Sequence, residues 1–103
     1  MLTMTIHVVY CTFSTKREAQ RLIESLLDKK IIACASVYGV DSFFEWRQKR
    51  QKTKEWVAII KTSKPKQVSN FLEKNHSYNV PCILSWRVKA NAPFDKWVNS
   101  KRK

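Results

Sequence analysis

The chain has 103 residues, is 44% hydrophobic, and carries 20 Lys and Arg against 8 Asp and Glu, a formal net charge of +12. That length fits one small domain with a real core, and no apolar run approaches the roughly 20 residues needed to span a bilayer. The single glycine, Gly39, excludes Gly-rich phosphate loops, while three widely spaced cysteines (Cys11, Cys34, Cys82) without a CxxC argue against a disulfide framework or zinc finger.

The opening residues, MLTMTIHVVYCTF, lack a basic n-region and an A-x-A-like cleavage site, which favours the cytosol. Thr5 to Thr12 is rich in β-branched and aromatic residues and reads as a strand. Ser14 or Thr15 caps a helix, and Thr15 with Glu18 has the T-x-x-E form of a capping box. Ala19, Leu22, Ile23, Leu26 and Leu27 follow at helical spacing on one face. Ile31 to about Arg47 reads as extended, with Gly39 and Asp41 suggesting a bulge. QKRQKTK reads as a polar turn region, and Glu55 to Thr62 returns as a strand. Pro65 suits the first turn of a second helix that Ser63 caps, with Val68, Phe71 and Leu72 on its apolar face. Pro81 ends that segment, CILSWRVK gives a fourth strand, and APFDKWVNSKRK a short final helix with Phe94, Trp97 and Val98 on one side.

The order β-α-β-β-α-β, then a short α, predicts a ferredoxin-like α+β sandwich spanning 1–103 as one domain. Its sheet order is 4-1-3-2, with both main helices on one face. The first hairpin arm runs about 15 residues, against a usual strand of about 5–6. It is apolar on both alternations: Tyr38, Val40, Phe44 and Trp46 on one, Val37 and Phe43 on the other. A monomer of this size does not cover both, so a homo-oligomer is expected, the alternative being a shorter strand with a flexible tip.

VVYCTFSTKREAQRLIESLLDKKIIACASV, SFFEW, WVAIIKTS, HSYNVP and FDKWV occur in that order. On these the chain resembles the CutA divalent-cation tolerance family over nearly its full length. The resemblance implies a ferredoxin-like subunit in a homotrimer, similar in architecture to PII signalling proteins. It also implies a role in the response to divalent metal ions, with copper or another divalent metal as ligand, and no established catalytic reaction. The family's proposed metal ligands fall on Cys11, on His76, and on an acidic position that is Cys82 in this chain. The family loop usually reads His-Pro-Tyr-x-x-Pro-acidic; this chain has His76-Ser77-Tyr78-Asn79-Val80-Pro81-Cys82, and Asn75 where some members have a second histidine. Gln48 replaces a glycine common in the family hairpin, and of its glutamates only Glu55 remains.

Thiolates and an imidazole suit Cu(I) or Zn(II). Cys11 ends strand 1 and Cys82 begins its neighbour, so both thiols are expected on one side of the molecule; core packing is the plainer role for each. A cysteine nucleophile would need a base and an orienting group, and only His76 offers itself, so no enzyme is expected. The tract 47–54 carries Arg47, Lys49, Arg50, Lys52 and Lys54 between Trp46 and Trp56. That pattern fits either a solvated hairpin or a nucleic-acid or polyanion binding module. By analogy with PII-like trimers, a cleft between subunits lined by Trp46, Lys61 and Tyr78 would take a small anion or regulatory ligand. Together these readings describe a cytoplasmic homotrimer with no membrane segment.

Overall fold

In the computed structural model, which describes residues 6–100, β1 (Ile6–Phe13) lies between two other strands. It pairs antiparallel with β3 (Lys49–Thr62) on one edge and β4 (Ile83–Val88) on the other. β2 (Cys34–Trp46) adds outside β3, giving the order β2-β3-β1-β4. This is the anticipated 4-1-3-2 order viewed from the other edge. Thr5, and residues 101–103 of the anticipated final helix, lie outside the described residues.

Strand side chains alternate between faces. On β1, Val9, Cys11 and Phe13 point into a core with Ala58 and Ile60 of β3. Over them lie α1 (Lys16–Asp28), with Ala19, Leu22, Ile23 and Leu26, and α2 (Pro65–Asn75), with Val68 and Leu72. Each fully buried Val, Leu, Ile or Phe side chain among them contributes about 1.5–3 kcal/mol by leaving water. Leu27, assigned to the α1 face from the periodicity, is 42% exposed. The third helix, α3 (Ala92–Asn99), sits on the opposite face, where Val98 and Phe94 pack with Ile6 and Val88.

The helix starts follow local hydrogen bonding. Thr15 caps α1, its Oγ1 accepting from the Glu18 amide at 3.0 Å. The other half of the capping box is not made, because the Glu18 carboxylate is engaged elsewhere. Ser63 does not cap α2. The N-cap is Lys64, and Pro65 fills the first turn as expected. No side chain caps the helix; the fully buried Thr62 hydroxyl instead fixes the chain entering it, donating to the Ile31 carbonyl and accepting from the Lys64 amide at 2.9 Å.

The hairpin differs from expectation in two ways. First, its register runs unbroken from Cys34–Lys61 to Trp46–Lys49, so there is no bulge at Gly39. Gly39 instead faces Trp56 across the strands, where an added Cβ would lie 3.2 Å from the Trp56 ring and 3.0 Å from Lys54 Cε. Glycine is the residue that lets those two side chains lie across the strand. Second, most of the anticipated polar turn is strand. The turn is only Arg47-Gln48, both left-handed with φ of 53° and 66°. Positive φ at both central residues is the type I′ hairpin geometry, which matches strand twist. From residue 43 to 54 every hairpin residue is exposed. The molecule is therefore elongated, 51 × 25 × 20 Å, with a radius of gyration of 14.7 Å. A compact chain of this length would give about 13 Å.

Gln48→Gly should relieve the left-handed strain and stabilise the fold by about 0.5–1 kcal/mol, the turn preference outweighing the added chain entropy. Urea unfolding measures this, and an unchanged or lower midpoint would contradict the turn geometry.

Candidate functional site

The site is built around a histidine used as a structural pin. His76 ends α2, its amide donating to the Leu72 carbonyl at 2.9 Å. Its side chain is wholly buried and stacks on Phe13, with centroids 4.9 Å apart and planes 9° from parallel. Nε2 donates to the Thr12 carbonyl at 2.7 Å, and Nδ1 accepts from the Tyr78 amide at 3.0 Å. These partners assign the neutral Nε2–H tautomer and use both ring nitrogens.

The next two residues extend the pin. Ser77 donates through its amide and its hydroxyl to the two Glu18 oxygens, at 2.8 and 2.9 Å. A proline at 77, as the resembled family usually has, would offer neither donor. Tyr78 leans over the His76 ring at 4.8 Å and donates its hydroxyl to Glu55 Oε2 at 2.7 Å. Burial, then the bond to Glu55, pushes the Tyr78 phenol well above the usual tyrosine range.

The three anticipated metal ligands do not converge. Cys11 alternates to the helix side of β1, is fully buried, and has its thiol pushed up to about 12, chiefly by burial and then by Cys82. Its pairing partner on β4 is Ile83, so Cys82, one residue earlier, falls on the opposite face with Thr12. The expectation that both thiols share one side is thereby corrected: the strands are neighbours as foreseen, but the register is offset by one. Cys82 is an exposed residue whose thiol is raised by desolvation at the cleft wall and by Glu55. His76 has no nitrogen left for a metal. Among the described residues, no group of three or more His, Cys, Asp or Glu could hold a metal ion.

On the face away from α1 and α2, the hairpin and the 78–82 loop enclose a cleft of about 620 Å³. Tyr10, Phe44, Trp46, Glu55, Tyr78 and Cys82 are among its walls. Trp46 and Tyr78 line it, whereas Lys61 does not: it pairs in register with Val8 and Cys34, away from the cleft. Tyr10 is held protonated to higher pH by burial and by Tyr38, Cys82 and Glu55.

The basic tract is a strand edge, not a loop. Arg47 lies in the turn, and Lys49, Arg50, Lys52 and Lys54 belong to β3. Alternation separates Lys49 from the other three. Arg50 stands opposite Glu45 and Lys54 opposite Asp41. Lys52 lies over the Phe43 ring at 5.6 Å, and Trp56 is flanked by Lys54 at 5.9 Å and Lys16 at 5.6 Å. Two of the cations, Lys52 and Lys54, thus already lie over aromatic rings of this chain.

Residues 7–101 match the CutA1 divalent ion tolerance protein family. The divalent-cation tolerance protein CutA of Archaeoglobus fulgidus is 36% identical over 94 residues, 88% of this chain and 92% of that protein. The solved structure of the periplasmic CutA from Archaeoglobus fulgidus superposes with a TM-score of 0.88 at 30% identity, covering 93% of this chain and 97% of that one. The CutA1 structure from Ehrlichia chaffeensis gives 0.91 at 29% identity, covering 97% of each.

Two outcomes are expected. With a thiol reagent near pH 8, the folded protein should label Cys82 while Cys11 reacts only after unfolding, as mass spectrometry of the modified peptides would report; equal labelling would contradict the buried placement. Cys11 also makes stability fall in alkali. Its thiol ionises near 9 when unfolded but at about 12 when folded. The unfolded chain therefore loses the proton first, and stability drops across that window by up to about 1.4 kcal/mol per pH unit. Cys11→Ala should flatten the drop in denaturant titrations run between those pH values.

Proposed function

The chain belongs to the CutA1 divalent ion tolerance protein family, and on that premise we propose that it acts as a non-catalytic homotrimer of ferredoxin-like subunits in the response to divalent metal ions. The observation that carries this reading is the part of the sheet face that α3 leaves uncovered. Tyr38, Phe44, Trp46, Leu84 and Trp86 alternate to the side away from α1 and α2 and are 43–55% exposed. An apolar band along a sheet of this length is characteristic of an assembly surface. Copies of the chain covering one another fit both that band and the overhanging hairpin. The trimeric number and the PII-like signalling character come from the family resemblance.

Copper is retained as the probe metal, but not at a Cys11, His76 and Cys82 centre, since burial, occupied nitrogens and opposite faces separate those donors. Cys82 is the exposed thiol of the three. The polyanion reading through Arg47, Lys49, Arg50, Lys52 and Lys54 is weaker, because Glu45 and Asp41 stand opposite two of these cations. A cytoplasmic location belongs to the reading. Among the described residues no helix is long and apolar enough to cross a membrane. The related Archaeoglobus fulgidus structure is of a periplasmic protein, and cell fractionation distinguishes the compartments.

Sedimentation equilibrium should give three times the 12.2 kDa chain mass, and Trp86→Glu should shift the protein toward monomer. A wild-type monomer at micromolar concentration would remove the reading. Under reducing conditions, Cys11→Ser should leave Cu(I) uptake unchanged; a large loss would restore the thiol cluster.

A further inference from the structure

The register sorts the basic hairpin tract by face. Trp56 pairs with Phe13 and with Gly39, and Phe13 lies in the core beneath α1. Trp56, Lys54, Lys52 and Arg50 therefore alternate to the α1 side of β3. Lys49 alternates to the opposite side, with the apolar band that copies would cover. At two residues per step, Lys54, Lys52 and Arg50 stand about 7 Å apart along about 14 Å of strand. Lys16 of α1 continues the row at its base, over the Trp56 ring at 5.6 Å. Across from Lys52, Phe43 projects to the same side and is 67% exposed, the most exposed aromatic residue among those described.

Asp41 stands opposite Lys54 and Glu45 opposite Arg50, yet none of the four cations forms an ion pair among the described residues. Lys54 and Lys52 lie over the Trp56 and Phe43 rings instead, at 5.9 and 5.6 Å. The row thus sets four cations against two acids, with an open ring midway, on a side the assembly band does not use. Evenly spaced cations beside an exposed ring suit a polymer that carries one phosphate and one aromatic base per unit. A duplex keeps its bases stacked inside and offers none to the ring. We propose that the α1 side of the hairpin is a track for single-stranded nucleic acid, with Lys16, Arg50, Lys52 and Lys54 on the phosphates and Phe43 stacked on a base. Every base has a π-face, so the track has no sequence preference. Arg47 and Lys49, which the sequence groups with these cations, lie outside it, and Lys16, which the sequence does not group with them, belongs to it. The track narrows the whole-tract polyanion reading to one face and one partner. It sits within a single copy, so it exists whether or not copies assemble. Asp41 and Glu45 repel phosphate and so limit its affinity.

The probe is a fluorescein-labelled oligothymidylate of about 12 nucleotides, within the usual span of single-strand sites, titrated against the full chain and read by anisotropy. Affinity should fall with salt on a log–log slope of about −2 to −3, as three or four phosphates are neutralised. Lys52→Gln should reduce that slope by about 0.7, while Lys49→Gln, on the other side of the same strand, should leave it unchanged. Phe43→Ala should weaken binding about tenfold at fixed salt. Asp41→Asn combined with Glu45→Gln should tighten it, and a duplex of the same length should bind more weakly. Absence of binding to the wild type at low salt would overturn the proposal. So would equal effects of Lys49→Gln and Lys52→Gln, an unaffected Phe43→Ala variant, an acid-pair variant that binds no tighter, or equal affinity for the duplex. All five substituted residues are exposed, so the variants should fold, and sedimentation of the same samples reads the oligomer independently of the track.

Discussion

A strand hydrogen-bonded on both edges cannot shift its register, and β1 is such a strand. Seven residues of it pair with β3 and six with β4. A slip of one residue would turn Val9, Cys11 and Phe13 out of the core and drive Tyr10 and Thr12 into it. The two helices, the cleft and the loop that walls it are all positioned by that alternation. Phe13 offers a ring for His76 to stack on and Thr12 a carbonyl for its Nε2, so the end of β1 also sets the course of the chain leaving α2.

His76 shows how a residue with metal-ligating chemistry serves as architecture. A buried imidazole must satisfy both nitrogens, and this one does so with two backbone groups from different elements. Ser77 then anchors to Glu18, across 59 residues of sequence, and Tyr78 to Glu55, across 23. Three consecutive residues fasten the loop to β1, α1 and β3 in turn. Their joint effect is to hold a tyrosine and a carboxylate together at the cleft wall.

How much of this was legible follows the range of the interactions involved. α1 and its Thr15 cap are local, and periodicity with a T-x-x-E pattern found them. The element order and the strand neighbours were legible because few topologies fit that order. The Arg47-Gln48 turn was not, because neither residue is a turn former, and a basic run reads as loop until its pairing partners are known. Glu18 looked like half of a capping box, and only the distant Ser77 reveals its task. For Cys11 and Cys82 the neighbourhood was foreseeable but the face was not, since facing depends on a one-residue offset in register that spacing along the chain does not encode.

The departures of this chain from the usual family loop have a consistent physical effect. Ser77 in place of proline gains two donors for Glu18. Cys82 in place of an acid removes a negative charge from the cleft, leaving Glu55 as its sole carboxylate. An acid at 82 beside Glu55 would favour a hard metal ion, because paired carboxylates supply the oxygen donors such ions need. A raised thiol beside one carboxylate among aromatic rings supplies little to such an ion. The substitution at one position thereby changes the charge of the cleft wall while the His76 frame beside it stays intact.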